Sequence, residues 1–395
     1  MKRFFSYTIL SFFLLLLPTG QASANNNDSI RLSLLTCAPG EEIYSLFGHT
    51  AIRYENSSQG IDVVFNYGLF SFNTPNFIFR FSLGETDYQL GATDYERFAA
   101  EYAFFGRSVW QQTLNLTDEE KTELIRLLQE NYRPENRVYR YNFFYDNCAT
   151  RPRDKIEESI AGKVIYPAEP QDGSLTFRDI VHQYCKGHPW ARFGIDLCIG
   201  SEADQPITQR QMMFAPFYLM DAFDGAQIKG DSIQRPLITA NELVVDATPE
   251  PDESDWMPTP LQCSLLLFIL IAAATIYGIR RRTGLWGIDL FLFGIAGIVG
   301  CVLAFLALFS QHPAVSSNFL LLVFHPGQLL FLPHIIYCVR KGKKCWYLTL
   351  NLAVLTLFIV LFPVIPQRFD FAVVPLALVL LIRSASNLIL TSKKK

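Results

Sequence analysis

Charge is scarce in this chain: 18% of its residues are Asp, Glu, Lys or Arg and 50% are hydrophobic, where a soluble globular protein carries about a quarter charged. An ordinary soluble protein is thereby excluded. The net charge of -3 leaves no nucleic-acid footprint, because the basic residues sit beside apolar runs and form no single face. Metal-ligand spacing is missing as well. No Cys-x-x-Cys or His-x-x-x-His occurs, so His182 and His188 read as structural or surface groups, and no metal or cofactor is expected. Eight cysteines in 395 residues are too few for a disulfide framework. Cys185 and Cys198 are near enough in sequence to bridge, and Cys37, ahead of a Pro-Gly turn, reads as a structural thiol or a support to a site.

What the chain has in excess is apolar length after about residue 260. Runs at 262–279, 285–309, 318–339, 346–365 and 371–390 are each about long enough to cross a hydrocarbon core of roughly 30 Å as a helix, which predicts a five-helix transmembrane domain over 261–395. Arg280–Arg282, Arg340 to Lys344 and Lys393–Lys395 fall on one side, while the loops at 310–318 and 366–370 contain Arg368 alone. Basic loops stay inside, which puts the N-terminal part outside. Met1-Lys2-Arg3, the short apolar core to Leu17 and Ala22-Ser-Ala24 read as a secretory signal over 1–24, with an uncleaved anchor as the alternative. Both signals give the same orientation. The acidic, proline-rich stretch 249–260 is a linker. Within the third run, His325-Pro-Gly-Gln328 and Pro333-His334 are polar groups at membrane depth, read either as kinked packing or as part of a lipid path.

The exported part, 25–248, mixes strand and helix signals. Ile30–Leu34, Thr50–Tyr54, Asp62–Leu69 and Ser108–Leu116 read as strands, and Asp94–Gly106, Thr117–Asn131 and Leu175–Lys186 as capped helices, with irregular chain following to Pro206. The aromatics Phe70, Phe72, Phe77, Phe79 and Phe81 read as core or sheet face or, beside a bilayer, as the wall of an acyl groove.

Tyr141 to Asp154 carries the candidate chemistry. It reads as a buried strand that stops at the N-cap Asn147 and releases a helix to Gly162, with Cys148 at the first helical position. A thiol there feels the positive end of the helix dipole, reinforced by Arg151 and Arg153, which are also candidate substrate-binding groups. A lone cysteine is equally a small buried hydrophobe, so a partner decides. His49, after Gly48 at a strand start, can act as base, and Asn66 on the next predicted strand can fix its tautomer.

The phrases Leu34 to His49, Phe65-Asn-Tyr-Gly68, Asp146-Asn-Cys-Ala-Thr-Arg151 and Arg192-Phe-Gly-Ile-Asp196, in this order, resemble the Lnb-type lipoprotein N-acyltransferases. The histidine-before-cysteine order also resembles the circularly permuted NlpC-type, papain-like fold and the lecithin:retinol acyltransferase family. The resemblance implies an α+β permuted papain-like domain on a five-helix membrane domain, in a bacterial inner membrane with the catalytic domain in the periplasm. It further implies transfer of an acyl chain from a phospholipid, through a Cys148 thioester, to the α-amine of a diacylated lipoprotein's N-terminal cysteine. An NlpC-type peptidase or amidase acting on cell wall, and a non-catalytic lipoprotein-binding membrane protein, are the alternatives.

Overall fold

The computed structural model describes residues 29–71, 73, 75–167, 175–230, 234–247 and 257–392. The expected signal segment, and the expected linker as far as residue 256, lie outside the described residues. Ten strands and fourteen α-helices are described. The strands are β1 (Ile30–Cys37), β2 (His49–Asn56), β3 (Ile61–Leu69), β4 (Asp87–Asp94), β5 (Val109–Leu114), β6 (Val138–Arg140), β7 (Lys163–Ile165), β8 (Gln227–Lys229), β9 (Gln234–Pro236) and β10 (Ile238–Val245). Before the membrane part come α1 (Phe77–Leu83), α2 (Tyr95–Phe104), α3 (Asp118–Tyr132), α4 (Thr150–Ser159), α5 (Phe177–Tyr184), α6 (Pro189–Cys198), α7 (Gln209–Met212) and α8 (Pro216–Asp224).

Seven strands form one antiparallel sheet in the order β10-β5-β1-β2-β3-β4-β6. Because side chains alternate along a strand, β1 serves two cores at once. Leu32 and Leu34 face Leu124 and Leu128 of α3, Ile156 of α4 and Phe223 of α8, whereas Leu35 and Cys37 face Phe98 and Tyr102 of α2. A covered sheet explains the long apolar run Leu32 to Cys37, broken only by Ser33 and Thr36. The predicted capping box at Thr117 and Glu120 forms, with both reciprocal hydrogen bonds.

Two expectations are corrected. The strand before Cys148 is only Val138–Arg140: Asn142 accepts from Tyr145 N–H through its side chain and donates its own N–H to Asp146, so Asn142–Asp146 is a turn that drops Phe143 and Phe144 into a separate aromatic core. The chain after residue 188 is not irregular either. Pro189 sits in the first turn of α6, where its missing N–H costs nothing.

The helical part holds α9 (Pro260–Arg280), α10 (Trp286–Phe309), α11 (Gly327–Leu330), α12 (Leu332–Lys341), α13 (Trp346–Leu361) and α14 (Val373–Ser392). Among the described residues α9, α10 and α14 are long and apolar enough to cross a membrane. The expected third span is instead broken, with Phe319–Leu330 and Leu332–Lys341 bent 74° apart, and α13, at 16 residues, is short for a crossing. Pro326 and Pro333 bracket the break. Opposite it, α10 presents Gly297 and Gly300, where any Cβ would collide with the backbones of Leu329 and His325. Asp289 and Arg383, single charges in apolar helices, meet as a buried pair at 2.7 Å, with Thr275 Oγ1 accepting from Arg383 at 3.0 Å, which ties α9, α10 and α14 together.

Candidate active site

Three sequence-predicted residues converge where β2, β3 and the start of α4 meet. Gly48 turns the chain with φ of 77°, and a Cβ there would strike the Cys37 carbonyl, so glycine is required to start β2 at His49. His49 Nε2 makes a short hydrogen bond to Asn66 Oδ1 on the neighbouring strand. An amide oxygen only accepts, so Nε2 carries the proton and Nδ1 keeps the free lone pair. Two residues on, the β3–β4 register shifts and Gly68 takes φ of 92°. A methyl group built on Gly68 would lie 3.5 Å from Cys148 Cβ and 3.9 Å from His49 Cε1. The thiol and the imidazole therefore flank one small space beside Gly68.

Cys148 is placed by its neighbour. Asn147 Oδ1 accepts from the N–H groups of Ala149 and Thr150 at 2.8 and 3.0 Å, and its carbonyl takes the N–H of Arg151, so Asn147 caps the turn that leads into α4. The helix itself starts at Thr150 with Ala149 at its N-cap, so Cys148 lies two residues ahead of it and not at the expected first helical position. The Asn147 amide also donates to the carbonyls of Phe143 and Phe214, pinning this turn to the aromatic core.

The electrostatics differ from the expectation of a thiolate. Burial pushes the Cys148 thiol up to about 11, outweighing the N–H groups of Thr50 and of Cys148 itself, which favour the anion. Burial likewise brings His49 down to about 4, against the Asn66 hydrogen bond and helped by the charge of Arg107. Both residues keep a partly open face, yet crowding by protein atoms dominates. At neutral pH the resting pair is an uncharged thiol beside a neutral imidazole with an available nitrogen.

Arg151 and Arg153 do not present free charge. Arg151 is held by Asp146 at 2.6 Å and lies over the Tyr139 ring, while the buried Arg153 pairs with Asp154 and donates to the Arg210 carbonyl. Cys37, opposite His49 in register, is fully buried, and desolvation pushes its thiol up to about 12. All eight cysteines are free, so Cys185 and Cys198 are not bridged. His182 binds Asp196 and His188 approaches Glu41. His325 contacts Asn351, Gln328 donates to the Val323 carbonyl, and His334 meets Cys338 and Cys345 with ligand atoms within 4.8 Å of one another.

Tyr139 is the site residue that sequence reasoning missed. The residue is 7% exposed and its hydroxyl, 4.0 Å from the same methyl position on Gly68, has no hydrogen-bond partner. A buried hydroxyl without a partner is costly, and this one borders the space between Cys148 and His49. Only its pairing as an inward residue of β6 could have marked it.

This domain is docked on the helical part by groups whose place the sequence did not reveal. Arg178, completely buried, binds Asp196 at 2.6 Å and Asp204 at 2.8 Å, and Arg368, from the loop before α14, binds Asp204 and Asp179. Gly200 N–H donates to the Ala314 carbonyl, Asn318 to that of Leu197 and Gln367 to that of Ile199. The Arg192-to-Asp196 phrase thus sits at the junction, where Phe193 packs among the membrane helices.

Comparison with protein families matches residues 20–182 to the Lnb N-terminal periplasmic domain and residues 252–395 to the Lnb transmembrane domain. No curated protein and no solved structure matches the chain.

Proposed function

Because this chain belongs to the Lnb family, and so is a multi-pass membrane protein with a periplasmic domain, we propose that it is a thiol-dependent lipoprotein N-acyltransferase of the inner membrane. The observation that carries this reading is the convergence of Cys148, His49 and Asn66 around Gly68. The domain is read as permuted papain-like, since a strand-borne histidine precedes a cysteine at a helix start. The membrane part is read as five crossings, counting α13 and the bent pair, with the basic loops cytoplasmic.

In the first half-reaction, Cys148 Sγ attacks a phospholipid ester carbonyl while His49 Nδ1 takes the thiol proton. The C–O bond then breaks, His49 returns that proton to the departing glycerol oxygen, and lysophospholipid leaves a thioester on Cys148. In the second, the α-amine of a diacylated lipoprotein's N-terminal cysteine attacks the thioester, His49 accepts the amine proton, the amide forms, and the proton goes back to the sulfur. Asn66 holds His49 in the Nε2–H tautomer throughout. Tyr139 O–H donates to the oxyanion in both tetrahedral intermediates, joined by the N–H groups near Cys148. Starting from a neutral pair suits a site where charge develops only during reaction and water is kept from the thioester. Arg151, fixed by Asp146, supports the Tyr139 ring, and Arg153 anchors α4.

Incubation of the purified protein with phospholipid and a diacylated lipopeptide, followed by mass spectrometry, tests the reading. A third acyl chain gained by the peptide amine in step with release of lysophospholipid, and lost in Cys148→Ala, is expected. Free fatty acid or peptide cleavage with the amine untouched would make the enzyme a hydrolase, and full activity in Cys148→Ala would remove the thiol mechanism.

A further inference from the structure

Helix α1 is built in a way that water alone does not permit. Five of its seven residues are Phe, Ile or Leu, none is buried, and Ile78 is 81% and Phe79 58% exposed. A helix this apolar and uncovered belongs at a lipid surface. Its position agrees. The Leu83 carbonyl accepts from Gln311 N–H and the Phe81 carbonyl from His312 Nε2, which pins α1 beside the end of α10 that faces the sheet domain. Gly84, at φ of 71°, allows this approach, since a Cβ there would press on the backbone of Gln311 and His312.

Between the two helices runs an open cavity of about 910 Å³, walled by Phe77, Ile78 and Phe79 of α1 and by Cys301, Val302 and Phe305 of α10. That volume falls in the range of ligand pockets, roughly 300–1,000 Å³. No charged side chain lines it, because Arg80 turns away to Asp87 and the Glu85 carbonyl. Beside it a run of packed rings extends inward: Phe77 stacks on Phe70 at 6.0 Å, Phe70 lies tilted against Tyr88 at 5.0 Å and Tyr88 stacks on Tyr141 at 4.1 Å, and Phe70, Tyr141 and Cys148 pack on the same core.

We propose that the α1–α10 groove is the acyl-chain site of the membrane donor, holding the chain's far end while its ester reaches Cys148 along the Phe77-Phe70-Tyr88-Tyr141 track. The occupant is a phospholipid acyl chain because the groove is apolar, opens at a lipid-facing helix and is joined by this run of aromatic rings to the core on which the nucleophile packs. Groove length and width then set which chain lengths are transferred. The proposal rests on the acyl-transfer reading, but the groove can be occupied whether or not transfer follows.

Two measurements on the full-length protein separate these possibilities. Val302→Trp and Cys301→Trp fill the groove from surface positions, and Ile295→Trp, on the same helix outside it, is the control. With octanoyl and palmitoyl phospholipid donors, the groove variants should lose at least ~10-fold in kcat/KM for palmitoyl relative to octanoyl, the lower end of what pocket methylenes discriminate. Ile295→Trp should keep the wild-type ratio. In parallel, a phospholipid carrying a photoreactive group near the end of one acyl chain is cross-linked to wild-type protein in nanodiscs and mapped by mass spectrometry. Adducts concentrated in 76–82 and 301–306, and depleted in Val302→Trp, support the groove even if no transfer is seen, in which case the functional reading falls alone. An unchanged chain-length ratio, or adducts spread evenly over the lipid-facing helices, overturns the groove while leaving the thiol chemistry standing.

Discussion

Removing one oxygen from Tyr139 should stabilise the protein and disable it at once. The hydroxyl is buried and unpartnered in the resting structure, and such a group costs roughly 1–3 kcal/mol. Tyr139→Phe keeps the ring under Arg151 and its edge contact with Tyr67. Thermal unfolding in detergent should therefore occur at the same or a higher temperature. Activity should move the other way, because an oxyanion donor lost from acyl transfer costs about 10²–10³ in kcat, or about 2.7–4 kcal/mol. The assay is steady-state release of lysophospholipid coupled to lipopeptide acylation, run beside a thermal melt. Wild-type kcat within a few-fold, or a lowered melting temperature, would refute the reasoning, since the first denies the hydroxyl a catalytic role and the second shows that it is satisfied at rest.

Other outcomes follow from the same geometry. Since burial raises the Cys148 thiol from 9.0 to about 11, iodoacetamide should label it at pH 8 ~100-fold more slowly than an ordinary thiol, with a rate still rising above pH 9; a plateau below pH 8 would mean a resting thiolate. His49, held at about 4 against an ordinary 6.5, contributes stability that is complete above pH 6.5 and lost as pH falls toward 4, so a His49→Gln variant should show a flatter stability profile across that window. Asn66→Asp places a carboxylate on Nε2 and should raise the His49 pKa, moving the acid limb of the kcat/KM profile upward, whereas Asn66→Ala should cost less than the ~10²–10⁴-fold worth of a proton-transferring group. Arg178→Met leaves the buried Asp196 with His182 and Asp204 with Arg368 but removes the buried cation they share, and should cost roughly 3–5 kcal/mol, read as a lowered unfolding temperature; an unchanged melt would show that the junction does not depend on this network.

Local chemistry explains which features were legible in the chain itself. Period-two alternation in Ile30–Leu34 and Asp62–Leu69, the Thr117–Glu120 capping box and the Asn147 cap are interactions of near neighbours, so the residues carry them unaided. The membrane crossing of the C-terminal part follows from apolar length, and its expected orientation from lysines and arginines gathered on one side. Cys148, His49 and Asn66 could be named as candidates because each residue type has few chemical uses at such positions. Their meeting could not be read, as His49 and Cys148 lie 99 positions apart and only the register of β2 on β3 and the turn at Gly68 bring them together. Tertiary structure alone also set the charge state: the helix start that favours a thiolate is outweighed by desolvation from strands distant in sequence. The same holds for the Tyr139 hydroxyl, the Arg178 junction and the 74° break of the third apolar run, where the cost of an unpaired group or a missing N–H is fixed by what packs around it.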